Sequence, residues 1–202
     1  MKNISRLFLI NSVFLLFPLL WFAYTQEELD GANFMGWNGY IVDYSSTPEK
    51  YRLSDSITRR EMMKIIANMW SPALASCKWI FWDVKEWDWG CKYIEWARNF
   101  WIVAWNTNFR PNDNISKAEA LKMLLNIKWI KKTSDTGNWQ ADYVQTAYDN
   151  KWYDSLWSDY TSAATRGWIF MSANRVINNI QVTWEVDDTQ AVIDELFDFL
   201  NN

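Results

Sequence analysis

Residues 109–125 read Phe-Arg-Pro-Asn-Asp-Asn-Ile-Ser-Lys-Ala-Glu-Ala-Leu-Lys-Met-Leu-Leu, and their reading decides the fold. Ser116 is a helix N-cap residue, and Glu119 three positions later completes a capping box, so a helix starts there. The run Ala120, Leu121, Met123, Leu124 and Leu125 then places an apolar stripe on that helix. A string that matches residues 109–117 without a gap occurs upstream, as Tyr51-Arg52-Leu53-Ser54-Asp55-Ser56-Ile57-Thr58-Arg59. It too leads into a capping box, Thr58 with Glu61, and an apolar run through Met62, Met63, Ile65, Ile66 and Met69.

The stretch ahead of the central string repeats downstream. Trp89 is followed by Ile94 and Ala97, and Trp139 by Val144 and Ala147 at the same spacing. That spacing puts an apolar stripe on one helix face. Both stretches reach a turn and end near Ser116-Lys117 or Thr165-Arg166. Gly36 to Ile41 has the interval of Ala97 to Ile102, which supplies the first helix of an upstream copy. Each unit therefore reads as helix, extended loop and second helix. One such hairpin cannot bury its apolar face alone, so three form the smallest sensible core.

The flanks divide the chain as follows: residues 1–23 leader, 24–76, 77–132 and 133–178 the three units, 179–202 connector and C-terminal helix. Lys2 and Arg6 precede an apolar stretch over residues 7–22, broken by Asn11, Ser12 and Pro18, which describes a secretory signal peptide cleaved near Ala23. At about 1.5 Å per residue that stretch falls short of the ~30 Å hydrocarbon layer. The alternative is an uncleaved leader, the one route by which the chain would touch a membrane. Ala191, Val192, Leu196, Phe197 and Leu200 form the inner side of a short terminal helix.

Composition narrows the function. The chain has 202 residues, half of them apolar, and a net charge of −4. With no basic run longer than Lys131-Lys132, nucleic acid is excluded as a partner. There is no histidine, which removes every Ser-His and Cys-His pair and the commonest metal ligand. Two cysteines make no four-ligand zinc site, and no glycine-rich phosphate loop is present. No catalytic residue, metal or cofactor is assigned. A carboxylate-based glycan hydrolase would need two converging acids, and no spacing singles out such a pair. In an exported chain Cys77 and Cys91 are expected to form a disulfide worth about 3 kcal/mol, the alternative being two buried thiols.

The central unit resembles an S-layer homology motif along its length. The residues that carry the resemblance are Phe81-Trp82-Asp83-Val84, Trp89, Ile94, Ala97, Ile102-Val103, Phe109-Arg110-Pro111-Asn112 and Ile115-Ser116-Lys117-Ala118-Glu119. The first unit keeps Ile57-Thr58-Arg59-Arg60-Glu61 but lacks the F-x-D-V string, and the third keeps Trp139 and Thr165-Arg166. The resemblance implies an all-α fold of three helix-loop-helix units in a pseudo-threefold bundle. It also implies a secreted cell-surface protein attached to a secondary cell-wall polysaccharide, acidic or pyruvylated, with other surface-layer proteins as possible neighbours. The cation of the family's I-T-R-A-E string is the ligand residue, which maps to Arg59, Lys117 and Arg166. A cation beside free backbone N–H groups at a helix start suits a carboxylate. Asp83 and the faces of Trp89 and Trp139 are further candidates for the polysaccharide. The rival reading is a structural or protein-interaction module of the cell surface that binds no sugar, using the terminal helix.

Sixteen Trp stand beside six Gly, where average usage predicts roughly 14 glycines. The family has glycines where this chain has Trp101 and Trp105, and Trp152 occupies the corresponding turn of the third unit. Some bacterial lineages read the codon UGA as glycine, and translating such a gene with UGA as Trp produces this pattern. The residues so suspected are Trp21, Trp70, Trp82, Trp101, Trp105, Trp129, Trp152 and Trp168. The rival is an aromatic carbohydrate-binding surface.

Overall fold

The computed structural model describes residues 24–42 and 48–182. The signal peptide, Trp21 and the terminal helix expected over residues 187–200 lie outside them. Among the described residues there are six α-helices and no strand: α1 (Gln26–Trp37), α2 (Arg59–Trp70), α3 (Cys91–Asn99), α4 (Lys117–Ile127), α5 (Trp139–Asp149) and α6 (Arg166–Asn178). None is long and apolar enough to cross a membrane. The expected capping boxes form at Thr58/Glu61 and Ser116/Glu119, and a third, which sequence reading passed over, forms at Thr25/Glu28.

The three segments that lead into α2, α4 and α6 are joined to one another by backbone. Ile57 N–H donates to Ala164 C=O, Ala164 N–H to Ile115 C=O, and Ile115 N–H to Ile57 C=O, closing a cycle of three bonds at 3.4, 2.9 and 3.0 Å. All three residues are fully buried. Around this cycle the first two amides of each second helix, orphans by helix geometry, donate to carbonyls of another loop. Arg59 and Arg60 donate to Asp113 and Pro111, Lys117 and Ala118 to Ser162 and Tyr160, and Arg166 and Gly167 to Asp55 and Leu53. The third amide of each is taken by the side chain of Thr58, Ser116 or Thr165. The helix starts are therefore not free to bind an anion, contrary to the sequence expectation.

Helix packing crosses the expected unit boundaries: α2 packs on α3, α4 on α5 and also α6, and α1 on α6. The first helix of each unit thus leans on the second helix of another. At the α1–α6 contact a Cβ on Gly31 would lie 2.5 Å from the backbone of Phe170 and Met171, so only glycine permits that approach. Cys77 and Cys91 are disulfide-bonded, tying the loop before α3 to its first turn. Buried Glu95 on α3 accepts the amides of Lys78 and Ile80 and holds the same loop from the other side. Asp142 on α5 does the corresponding job for the next loop, accepting from Thr136, Ser134 and Lys132.

Each helix ends in a left-handed residue: Gly39, Ser71, Trp101, Trp129, Lys151 and Asn179 have φ between +51° and +71°. The residue after the turn donates back into the helix, as in Tyr40 to Met35, Ile102 to Ala97 and Trp152 to Ala147. This pairing corrects two sequence readings. The interval equivalent to Ala97–Ile102 is 35–40, not 36–41, and the turn residue of the third unit is Lys151, not Trp152. Trp152 is a core residue, 2% exposed, whose indole N–H donates to Asn179.

Two measurements check this account. Gly31→Ala is expected to lose about 1–3 kcal/mol of unfolding free energy by overpacking, read by denaturant titration. The Thr136 amide holds the Asp142 carboxyl down to about 2, against the opposing push of burial, and the hydroxyls and Lys132 add to it. Its folded value lies below the unfolded one of about 3.9, so its contribution is present at neutral pH and fades as pH falls from about 4 to about 2. Asp142→Asn is expected to be less stable at pH 7 and to show a flatter acid limb, read as melting temperature against pH.

Candidate functional site

The cations at the helix starts are not solvated. Arg59 and Arg166 are each 8% exposed. Arg59 donates through Nε to Phe109 C=O at 2.8 Å, lies over the Phe109 ring and pairs with Glu119. Arg166 donates through Nε to Tyr51 C=O at 2.9 Å and lies over the Phe170 ring. Lys117, at the same place on α4, pairs with Asp159. Both oxygens of Asp83 are taken by backbone, Oδ1 by the Phe109 amide at 2.8 Å and Oδ2 by that of Arg110 at 2.6 Å. Asp83 thus shapes the loop carrying Phe109, against whose ring Phe81 also packs.

The two arginines open onto two grooves of similar make. The first, about 230 Å³, brings Arg59 together with Glu119 and Lys122 of α4 and Trp139 at the start of α5. The second, about 270 Å³, brings Arg166 together with Glu61 and Lys64 of α2 and Trp89 just before α3. Glutamate and lysine are three residues apart on both helices, at the third and sixth positions, so they share a face. The structure therefore unites each predicted arginine with a predicted tryptophan from a different unit. Neither tryptophan is core: Trp89 is 46% exposed and Trp139 39%. On α6 the corresponding positions hold Trp168 and Met171, so Lys117 meets no such set.

Sequence reading missed Glu61, Lys64, Glu119 and Lys122. The glutamates were read as capping residues, which they also are. The signal for the lysines was their common place three residues after each capping glutamate. Burial pushes the Glu119 carboxyl up, but the Ser116 amide and Arg59 outweigh it and leave it below the usual range. Burial and the charge of Lys132 draw the Lys122 ammonium below its ordinary value, with Glu119 working the other way. Lys122 Nζ lies 5.0 Å from the Trp139 ring centre, and Lys64 Nζ 5.9 Å from that of Trp89.

Two other places lack such a set. A larger cavity of about 690 Å³ is lined by Phe100, Trp101, Trp129 and Tyr143, but it holds no buried arginine and two of its walls are tryptophans in left-handed backbone. Cys77, Cys91 and Glu95 lie within metal-binding reach of one another, but the sulfurs are bonded to each other and offer no thiolate.

The S-layer homology domain model matches residues 81–121, which include Asp83, Trp89, all of α3, Phe109 and the start of α4 with Glu119. No curated protein matches the chain. An S-layer homology domain is thus detected at the centre of this protein, and such a domain points to the cell surface and cell wall.

Proposed function

We propose that this chain is an exported, non-catalytic protein that holds to an acidic, for example pyruvylated, cell-wall polysaccharide through three S-layer-homology-like units in a pseudo-threefold bundle. The observation that carries the reading is the recurrence of one residue set, Arg, Glu, Lys and Trp, in two grooves between elements of different units. The family match covers the middle unit. The cyclic hydrogen bonds through Ile57, Ala164 and Ile115 favour counting the flanking stretches as its counterparts. Arg59 and Arg166 belong to the binding grooves on this reading, while Lys117, already neutralised by Asp159, contributes least. The mechanism is non-covalent and needs no cofactor.

Backbone geometry also supports the recoding of some tryptophans. Trp101 and Trp129 hold left-handed turns with φ of +59° and +56°, at the same place in the helix end as Gly39. Trp79, absent from the suspected set, has φ of +56°. A left-handed L-residue costs roughly 1–2 kcal/mol, and a bulky aromatic at three such places is what glycine codons read as Trp would leave behind. Trp152, buried and hydrogen-bonded, leaves that set.

Three experiments test these readings. The full chain is expected to be retained by purified wall polysaccharide, and absence of retention by correctly folded protein rejects anchoring. Peptide masses of the protein from its own cells are expected to give glycine at 101 and 129, and tryptophan there rejects recoding. In protein carrying Trp101, which is 77% exposed, Trp101→Gly is expected to raise stability by about 1 kcal/mol in denaturant titration.

A further inference from the structure

The two grooves hold four cations, an arginine and a lysine in each. Arg59 spends its guanidinium on Phe109 C=O, the Phe109 ring and Glu119. Lys64 and Lys122 differ: among the described residues neither makes an ion pair within 4 Å. Both occupy the sixth position of their helix, line a groove and stand close to an indole face. A lysine stem is flexible and an ammonium alone is a mobile point charge, so the indole supplies the missing restraint by cation–π attraction.

We propose that Lys64 and Lys122 are the specificity-determining residues of the two grooves, each taking the carboxylate of an anionic sugar on an ammonium held in place by Trp89 or Trp139. Arg59 and Arg166 are then positioning residues that fix the groove wall. The inference rests on the anchoring reading and assigns its charge recognition to different side chains.

The surroundings support the choice. Lys122 faces Glu119 on its own helix, Tyr143 on α5, Lys132 on the loop before α5 and Arg59 across the groove. The nearby positive charges and partial burial make its ammonium reluctant to stay protonated, a strain that a bound carboxylate relieves. Lys64 faces Glu61 on its own helix and Arg166 and Trp89 across the groove, and Arg60, paired to Asp88, also lies over the Trp89 ring at 5.2 Å. Along α6, Met171 stands where these lysines stand, so the helix position tolerates an unbranched neutral side chain. Lys117, the helix-start cation of α4, is itself paired with Asp159.

The test uses the full chain and two forms of one polymer, the purified acidic wall polysaccharide before and after chemical reduction of its carboxyl groups. Retention and the indole fluorescence change are read for wild type, for Lys64→Met with Lys122→Met, and for Lys64→Arg with Lys122→Arg. The inference expects the double Met variant to lose binding at least about tenfold with an unchanged melting temperature. The double Arg variant keeps binding, and reduced polymer binds wild type as weakly as the double Met variant binds native polymer. Equal binding by wild type and the double Met variant overturns the inference and leaves anchoring standing. So does equal binding of native and reduced polymer by wild type. Absence of binding by wild type to either form removes the anchoring reading and this inference with it.

Discussion

Three buried peptide groups hydrogen-bonded in a cycle, those of Ile57, Ala164 and Ile115, set the terms for everything around them. A peptide group taken from water needs a partner, and none of these finds one within its own stretch of chain. The same dependence extends one residue further out. The opening amides of α2, α4 and α6 rely on carbonyls of a loop more distant in sequence, so no helix start is complete until another unit is in place. An isolated unit would expose both its apolar helix face and these donors. Cooperative folding of the described helices as one body follows from that arrangement.

The grooves are a by-product of the same joints. Because each second helix begins against the loop of a neighbour, the residue at its first position is carried into the seam. There Arg59 and Arg166 are buried, oriented by a carbonyl and stacked on a ring. Burying a guanidinium is tolerable only with such partners, and its fork of donors makes arginine fit for the place. The lysines a turn and a half along the helix line the same grooves, half-buried beside an indole ring. The third seam lacks the arrangement: Lys117 pairs with Asp159, and Trp168 and Met171 stand at the helix positions that hold the acid and the base on α2 and α4.

Local features were legible in the sequence because they are written in adjacent residues. The capping boxes at Thr58 and Ser116, the apolar stripes and the all-helical class came directly from spacing. The disulfide followed from the expectation of export for a chain with only two cysteines. What failed was whatever depended on partners far along the chain. Arg59 looks like a surface residue until Phe109 and Glu119 close over it, and the helix-start amides look available until the neighbouring loop takes them. Gly31 reads as a weak spot in a helix, whereas its missing Cβ is what lets α6 approach. The Trp152 error was one of register: a single-residue shift separates a left-handed turn from the core, and composition alone cannot place that boundary.

The contact of α1 with α6 has a consequence for the order of events during synthesis. Glu27 on α1 and Arg175 on α6 are ion-paired across 148 residues of sequence. The earliest described helix to leave the ribosome therefore waits for the latest before its buried face is covered. Until then the chain is an open string whose central joints lack their third member, and non-local closure of this kind slows folding. A chain whose first described helix stays uncovered until the last has been made completes its core late rather than segment by segment.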